Sequence, residues 1–396
     1  MGTFKHDRGM KHSLSKLLTI FALYLLLGPT LQANSFSASP VLEIMPRSPV
    51  WGFDFLGEQD ETMFFYLQDG RMGSHDFKTS KTTYFSSTPK VHNSGQGGGL
   101  DLLTLELDGQ RWIYFSYSNL DSKTGENSTT LARAKLDSKN NPGKFETIYT
   151  AKPFVKSTLH FGSRIIFDQA KKHIFLSVGE RNERDRAQDL SQDNGKVLRL
   201  NLDGSIPKDN PFVNTKNASP AIWSYGHRNP QGLARIPWSD EILEQEHGPR
   251  GGDEINWIQK GKNFGWPIIT YGREYWGPSI GDKKKAGLEQ PLYHYTPSIA
   301  PSGLMIYTGK KYKDLKGHIF SGALKGRHLN QLIPSKSLDE LLVSSDKRTK
   351  FDFKEVKHLE KLGERIRNVR ESPTGEIYIS TDTGKVFKLT ADQNSN

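Results

Sequence analysis

The segment Arg164-Ile165-Ile166-Phe167-Asp168-Gln169-Ala170-Lys171-Lys172-His173-Ile174-Phe175-Leu176-Ser177-Val178 reads as two short extended runs joined by a polar turn. Each run is rich in Ile, Phe and Val and too short for a helix that would bury a face of its own. The same grammar recurs along the chain: Met63–Leu67 ahead of Gln68-Asp69-Gly70, Trp112–Tyr117, Val197–Leu202 ahead of Asp203-Gly204, Met305–Thr308, His318–Ala323, and the pair Glu376–Ser380/Lys385–Leu389. The hairpins 164–168/173–178 and 376–380/385–389 read as pairs from successive blades of one repeating architecture. Helical periodicity is confined to Glu241–His247 and Leu338–Leu342. The pattern predicts an all-β protein, a sandwich, a barrel or a propeller, and favours the propeller. The length from Val50 to Leu389 suits six four-stranded blades of roughly 50–60 residues each. No Pro/Ser-rich linker interrupts it, so residues 34–396 are expected to form one domain.

Composition narrows the function. The 396 residues carry 54 Lys+Arg against 44 Asp+Glu, a net charge of +10, and no cysteine. Without cysteine there are no disulfides, thiolate metal sites, thiol nucleophiles or haem thioethers. The N-terminus carries Lys5, Arg8, Lys11 and Lys16, then an apolar run Leu17–Leu27, Gly28-Pro29 and a small-residue site ending at Ala33. This is the pattern of a secretory signal peptide cleaved after Ala33. The alternative, a membrane anchor, needs about 20 apolar residues, so no membrane span is expected after cleavage. The remaining positive charge is spread without a basic-aromatic stripe, which argues against nucleic acid and leaves a small acidic ligand as the better partner.

Several enzyme classes drop out on missing motifs. Gly95-Gln96-Gly97-Gly98-Gly99 lacks the dinucleotide spacing, and there is no phosphate loop, nucleophile elbow or His-Glu-x-x-His. Dense polar loops remain: Gly226-His227-Arg228-Asn229-Pro230-Gln231-Gly232, His247-Gly248-Pro249-Arg250-Gly251-Gly252-Asp253-Glu254, and Asn263-Phe264-Gly265-Trp266-Pro267. Turn carbonyls beside the adjacent Asp253 and Glu254 offer hard oxygen donors suited to Ca²⁺, or form an ordinary surface turn. In Glu364-Arg365-Ile366-Arg367 the two arginines share one strand face. Parallel guanidinium groups need an anion between them, an external carboxylate or a neighbour such as Glu364 or Glu371. His160 precedes a strand and so falls in a loop at a blade end, structural or catalytic.

Taken together, these loops resemble the soluble quinoprotein aldose sugar dehydrogenases of the glucose/sorbosone dehydrogenase family. Pro297-Ser298-Ile299-Ala300-Pro301-Ser302-Gly303 and Arg365-Ile366-Arg367 match as well, in the family's order, from about Val50 to Leu389. The resemblance implies a six-bladed β-propeller with pyrroloquinoline quinone (PQQ) and Ca²⁺ at the mouth of its channel. It places His160 as the catalytic base, Gln96 against the quinone, and Arg228 and Asn229 on the quinone oxygens. Lys325, Arg365 and Arg367 take the positions that hold the cofactor carboxylates. Gly248 and Pro249 match carbonyl ligands of the catalytic Ca²⁺, and Glu254 with the Phe264 carbonyl a second, structural one. Three positions depart from the family: Phe264 is often Tyr, Asn368 stands where Asp is common, and Arg181 stands where glucose enzymes have a substrate-side glutamine.

The implied activity is oxidation of an aldose at C1 to an aldonolactone in the periplasm, with electrons leaving to a separate acceptor, by a monomer or homodimer. Two other readings stand beside it: a Ca²⁺-dependent lactonase-like propeller, and a non-catalytic propeller that binds a glycan or protein. The three cations argue against a neutral lactone, and His160 against a purely binding role.

Overall fold

The computed structural model describes residues 35–59, 61–343 and 352–392, and the leader expected over residues 1–33 lies outside them. Among the described residues, twenty-four strands form six four-stranded antiparallel sheets. Blade one holds Val50–Leu56, Thr62–Leu67, Met72–Asp76 and Lys81–Tyr84, and blade two Gly99–Leu107, Gln110–Leu120, Asn127–Lys135 and Glu146–Thr150. Blade three holds Gly162–Asp168, His173–Val178, Lys196–Asn201 and Ile222–Tyr225, and blade four Pro230–Arg235, Ile242–Glu246, Asp253–Ile258 and Tyr293–Tyr295. Blade five holds Pro301–Ile306, Ile319–Ala323, His328–Pro334 and Phe353–His358. Blade six joins Ile366–Glu371, Ile377–Thr381 and Lys385–Ala391 to Phe36–Glu43 from the start of the chain. Phe36 pairs with Ala391 and Glu43 with Lys385, so the first and last of the described strands close the ring in one sheet. The protein is the six-bladed propeller expected from its sequence.

Two expectations about local structure change. The hairpins 164–178 and 376–389 belong to blades three and six, which are not neighbours. The stretch Glu241–His247 is not a helix: Ile242–Glu246 is the second strand of blade four, buried along its whole length. Its Glu-rich composition favours a helix locally, but pairing on both sides and a polar interior that accepts the carboxylates override that preference. The helix at Leu338–Val343 is present.

The apolar core is divided. Each pair of adjacent blades encloses its own cluster, such as Leu131, Leu176 and Leu198 between blades two and three, or Phe320, Ile379 and Phe387 between five and six. The axis is polar instead, and Arg164 occupies it. From blade three its guanidinium donates to Gln231 O of blade four at 2.8 Å and Trp51 O of blade one at 3.1 Å. It also donates to Asp101 Oδ1 of blade two at 3.4 Å, Ser302 Oγ of blade five at 3.2 Å and Arg367 O of blade six at 3.1 Å. One side chain therefore touches the inner strand of every other blade. Burial pulls its pKa down to about 10, against the attraction of Asp101.

The topology also fixes where chemistry can gather. The first strand of each blade packs against the first strands of its neighbours around the axis. Because the strands of a blade alternate in direction, the segments leading into first strands and the turns joining second to third strands share one end of the ring. Gln96, His160, Arg228, Asn229 and Arg365 lie in or beside the former, and Glu180, Gly248, Lys325 and Asp382 in the latter.

Candidate active site

His160 sits just before the first strand of blade three, 6% exposed, with left-handed backbone (φ 51°). A non-glycine residue there costs about 1–2 kcal/mol, and its neighbours hold it. Gln96 Oε1 accepts the His160 amide N–H at 2.8 Å. The His160 carbonyl lies over Gly179, where a Cβ would come within 2.1 Å of that oxygen, so only glycine admits the approach. Nδ1 of His160 lies 3.0 Å from Oε1 of Glu180, which is buried in the turn after the second strand. Burial lowers the His160 pKa; Glu180 opposes the shift, and Arg228 adds to it. A neutral imidazole oriented by a carboxylate is the arrangement of a general base. Glu180 was not singled out from sequence, since a Glu after Gly in a turn carries no signal by itself.

Arg181, at the position where the resemblance has a substrate-side glutamine, is packed into the loop that carries His160. Its side chain is 1% exposed and stacks on Phe161 at 3.6 Å. Its guanidinium donates to the carbonyls of Ser157 and Leu159 and to Asn127 Oδ1. It braces the loop that carries His160.

Arg228 and Asn229 lead into blade four. The Arg228 guanidinium donates to the carbonyls of His247 and Gly248, both at 3.0 Å, and lies 5.4 Å from the Trp266 ring centre. Asn229 Oδ1 accepts the Gly162 amide at 3.2 Å, tying this loop to that of His160. Both backbone amides, of Arg228 and Asn229, donate to Glu246 Oε2. His247, its pKa lowered to about 3 chiefly by burial and further by the charges of Arg228, His160 and Arg367, has its Nε2 2.8 Å from the carbonyl of Pro301 at the start of blade five.

The other half is cationic. Arg365 Nε donates to Asp382 Oδ2 at 2.7 Å, and Arg367 makes bonds of 2.7 and 3.0 Å to the two Asp382 oxygens. Both arginines thus face one side, and the anion between them is Asp382, not Glu364 or Glu371. Glu364 instead accepts from Thr383 and Glu371 from Thr308. An external anion is therefore not required to explain the pair. Arg365 also donates to Leu324 O at 3.0 Å, which brings the exposed Lys325 to the same corner. One aspartate balances one of three positive charges, leaving a surplus suited to a ligand with several carboxylates.

The 247–254 turn is tight: a Cβ on Gly248 would lie 2.3 and 2.4 Å from the carbonyl oxygens of Gly251 and Gly252. Asp253 is not a free donor there. Its Oδ1 accepts Gly248 N–H, and its Oδ2 accepts Ser298 Oγ–H and the amides of Ile299 and Ala300. It shapes the turn. Glu254 has no Lys or Arg partner among the described residues and is paired across the strands with Glu246. Burial, with the Glu246 charge next, pushes its pKa well up. A half-buried carboxylate facing a second one calls for a cation or a proton. The cationic corner therefore fits a polycarboxylate ligand and Glu254 fits a cation, while the Gly248 carbonyl already accepts from Arg228.

Comparison with known proteins bears on the family and the fold. Residues 47–388 match the Glucose/Sorbosone dehydrogenase family. The aldose sugar dehydrogenase YliI of Escherichia coli strain K12 is 38% identical over 348 residues, 86% of this chain and 89% of that protein. A crystal structure of the soluble aldose sugar dehydrogenase from Escherichia coli in the apo form superposes with a TM-score of 0.81 at 34% identity, covering 90% of this chain and 99% of that one. Quinoprotein glucose dehydrogenase B of Acinetobacter calcoaceticus is 32% identical over 248 residues, 49% of each chain. With a match spanning nearly all the blades and relatives of comparable length, this chain belongs to the glucose/sorbosone dehydrogenase family.

Proposed function

We propose that the chain is an exported, PQQ- and Ca²⁺-dependent dehydrogenase that oxidises aldose sugars at C1 to aldonolactones. The observation that carries this reading is the joining of a buried His160–Glu180 pair to a corner of three cations at one mouth of the ring. PQQ, when bound, supplies the hydride acceptor, and Ca²⁺ its polarisation. The residues that would hold PQQ are Gln96, Arg228, Asn229, Lys325, Arg365 and Arg367. Gly248 and Pro249 would offer carbonyls to one Ca²⁺, and Glu254 with the Phe264 carbonyl to a second.

The protein's own share is binding, orientation and one proton. His160, kept neutral by burial, takes the proton from the anomeric hydroxyl as C1 gives up hydride. Glu180 fixes the ring and supports the charge that His160 then carries. Arg228, held by two carbonyls, presents positive charge where negative charge develops. Export to the periplasm rests on the leader at residues 1–33, and among the described residues no helix is long and apolar enough to cross a membrane. The two electrons taken from the sugar would then pass to a separate acceptor.

The test is reconstitution. Purified protein with PQQ and Ca²⁺ should show sugar-dependent reduction of an artificial dye and none when PQQ is withheld. Hydrolysis of lactones without PQQ, and no dye reduction with it, would overturn the reading.

A further inference from the structure

Behind the Arg228–Asn229 loop, the second strand of blade four buries Glu244 and Glu246 against His227. His227 and Glu244 are fully buried and Glu246 is 4% exposed. His227 Nδ1 lies 3.9 Å from Glu244 Oε2 and 3.7 Å from Glu246 Oε1. One nitrogen and two carboxylate oxygens thus converge, their ligand atoms all within 4.8 Å of one another.

Three further observations separate this cluster from an ordinary buried ion network. First, no Lys or Arg side chain among the described residues pairs with Glu244, Glu246 or the cross-strand Glu254, so His227 is the sole basic side chain paired with the first two. Like charges directly opposite in a sheet are destabilising, and buried ones more so. Second, His227 Nδ1 and Glu244 Oε1 have no hydrogen-bond partner although both are buried. Orphaned atoms of this kind call for a missing ligand. Third, the His227 ring is already fixed: Nε2 lies 2.8 Å from Ser224 Oγ, and Phe264 stacks on its face with ring centres 4.8 Å apart. With the proton on Nε2 and donated to Ser224, Nδ1 presents its lone pair to the carboxylates, the arrangement in which the other ring nitrogen of a metal-binding histidine is held by a second residue.

We infer that His227, Glu244 and Glu246 bind one divalent transition-metal ion inside blade four. An imidazole nitrogen with two carboxylates suits Zn²⁺, Mn²⁺ or Co²⁺, whereas Ca²⁺ takes shells of oxygen. Asn256 Nδ2 donates to Glu244 Oε2 at 3.1 Å and to Glu246 Oε1 at 3.4 Å, which holds the two carboxylates in register. The remaining Glu246 oxygen accepts the amides of Arg228 and Asn229, so the ion would sit one residue from the loop that leads to the site mouth. The site adjoins the Glu254 and Phe264 pair considered for Ca²⁺, since Glu246 faces Glu254 across the strands and Phe264 stacks on His227, but it uses different ligand atoms and does not depend on the quinone reading.

Metal content of the full chain, purified without chelator, tests it. Mass spectrometry of wild type should find about one transition-metal ion per chain. H227Q and E244Q should lose it severalfold, while E254Q keeps it. Refolding with Co²⁺ should give visible absorption bands, and Ser224→Ala, a milder change, should weaken Co²⁺ uptake about tenfold. If H227Q or E244Q fails to fold, the wild-type Co²⁺ spectrum and Ser224→Ala decide. The assignment is overturned if wild type holds no transition metal and takes up no Co²⁺, or if H227Q and E244Q retain the metal. It is equally overturned if E254Q loses the metal as fully as E244Q does, since the ion would then belong to the calcium pair.

Discussion

The imidazole Nδ1 of His160 and the carboxylate Oε1 of Glu180 lie 3.0 Å apart, both side chains almost wholly withdrawn from water. Burial favours the neutral imidazole and Glu180 the charged one, and burial is the larger effect. Two outcomes distinguish these roles. His160→Ala should fold and still bind PQQ, with kcat reduced roughly 10²–10⁴-fold, the usual worth of a positioned base. Turnover within a few-fold of wild type would put the base elsewhere.

Glu180→Gln removes the influence that raises the His160 pKa, so the acid limb of kcat/KM should move to lower pH. Loss of orientation should lower kcat by about 10–100-fold, in the range seen when a residue holding a functional histidine is replaced. A pH–rate profile checks the sign: a limb that moves upward or stays in place contradicts the assignment.

Arg367→Ala should weaken PQQ binding by about 2–5 kcal/mol, because it removes a charge from the cationic corner and leaves Asp382 with one partner in place of two. Sugar KM at saturating PQQ should change little. Titration of PQQ by tryptophan fluorescence, beside sugar kinetics, separates the two. Normal PQQ affinity with raised KM would place Arg367 on the substrate.

Arg164→Met, which keeps most of the side-chain volume, should destabilise the ring by about 3–5 kcal/mol, since Asp101 is left buried without one of its two arginine partners. Arg164→Lys should recover only part of this, as one ammonium cannot reach five blades. Melting temperatures of the three proteins give the answer, and equal values for Lys and wild type would refute the hub role.

Acid should destabilise the protein through its buried histidines. Burial holds His247 at about 3 and His318 and His358 at about 4. Each binds a proton more weakly folded than unfolded, so its contribution is complete above the ordinary imidazole value of about 6.5 and is lost as pH falls from there toward the folded values. At pH 5 the loss is on the order of 1–2 kcal/mol for each. Denaturation midpoints between pH 7 and 5 should fall accordingly, and a rise over that window would contradict it.

The fold was legible where strands pair with their neighbours in sequence. Ile, Val and Phe runs beside Gly or Asp turns carry that information locally, as in 164–178 and 376–389. What could not be read depends on distant partners. Phe36–Glu43 contains Pro40 and has no nearby pairing partner, because its mate, Lys385–Ala391, lies beyond the other five blades in sequence. Ile242–Glu246 reads as helical because its glutamates become acceptable in a strand only once His227 and Asn256 face them. At the site, the loop motifs were legible as a resemblance, while Glu180 and Asp382 were not. Each is an acidic residue in a turn, and only the three-dimensional meeting with His160 or with the arginine pair gives it a role.

The seam between Phe36–Glu43 and Lys385–Ala391 also imposes an order on folding. Phe36–Glu43 is made before all five other blades, yet its partner Lys385–Ala391 follows them in sequence. Five blades can assemble as they emerge, but the sixth must wait, and with it the cationic corner formed by Arg365, Arg367 and Asp382. Shortened chains that stop before residue 385 would therefore hold His160 and Glu180 within a ring that has no clasp.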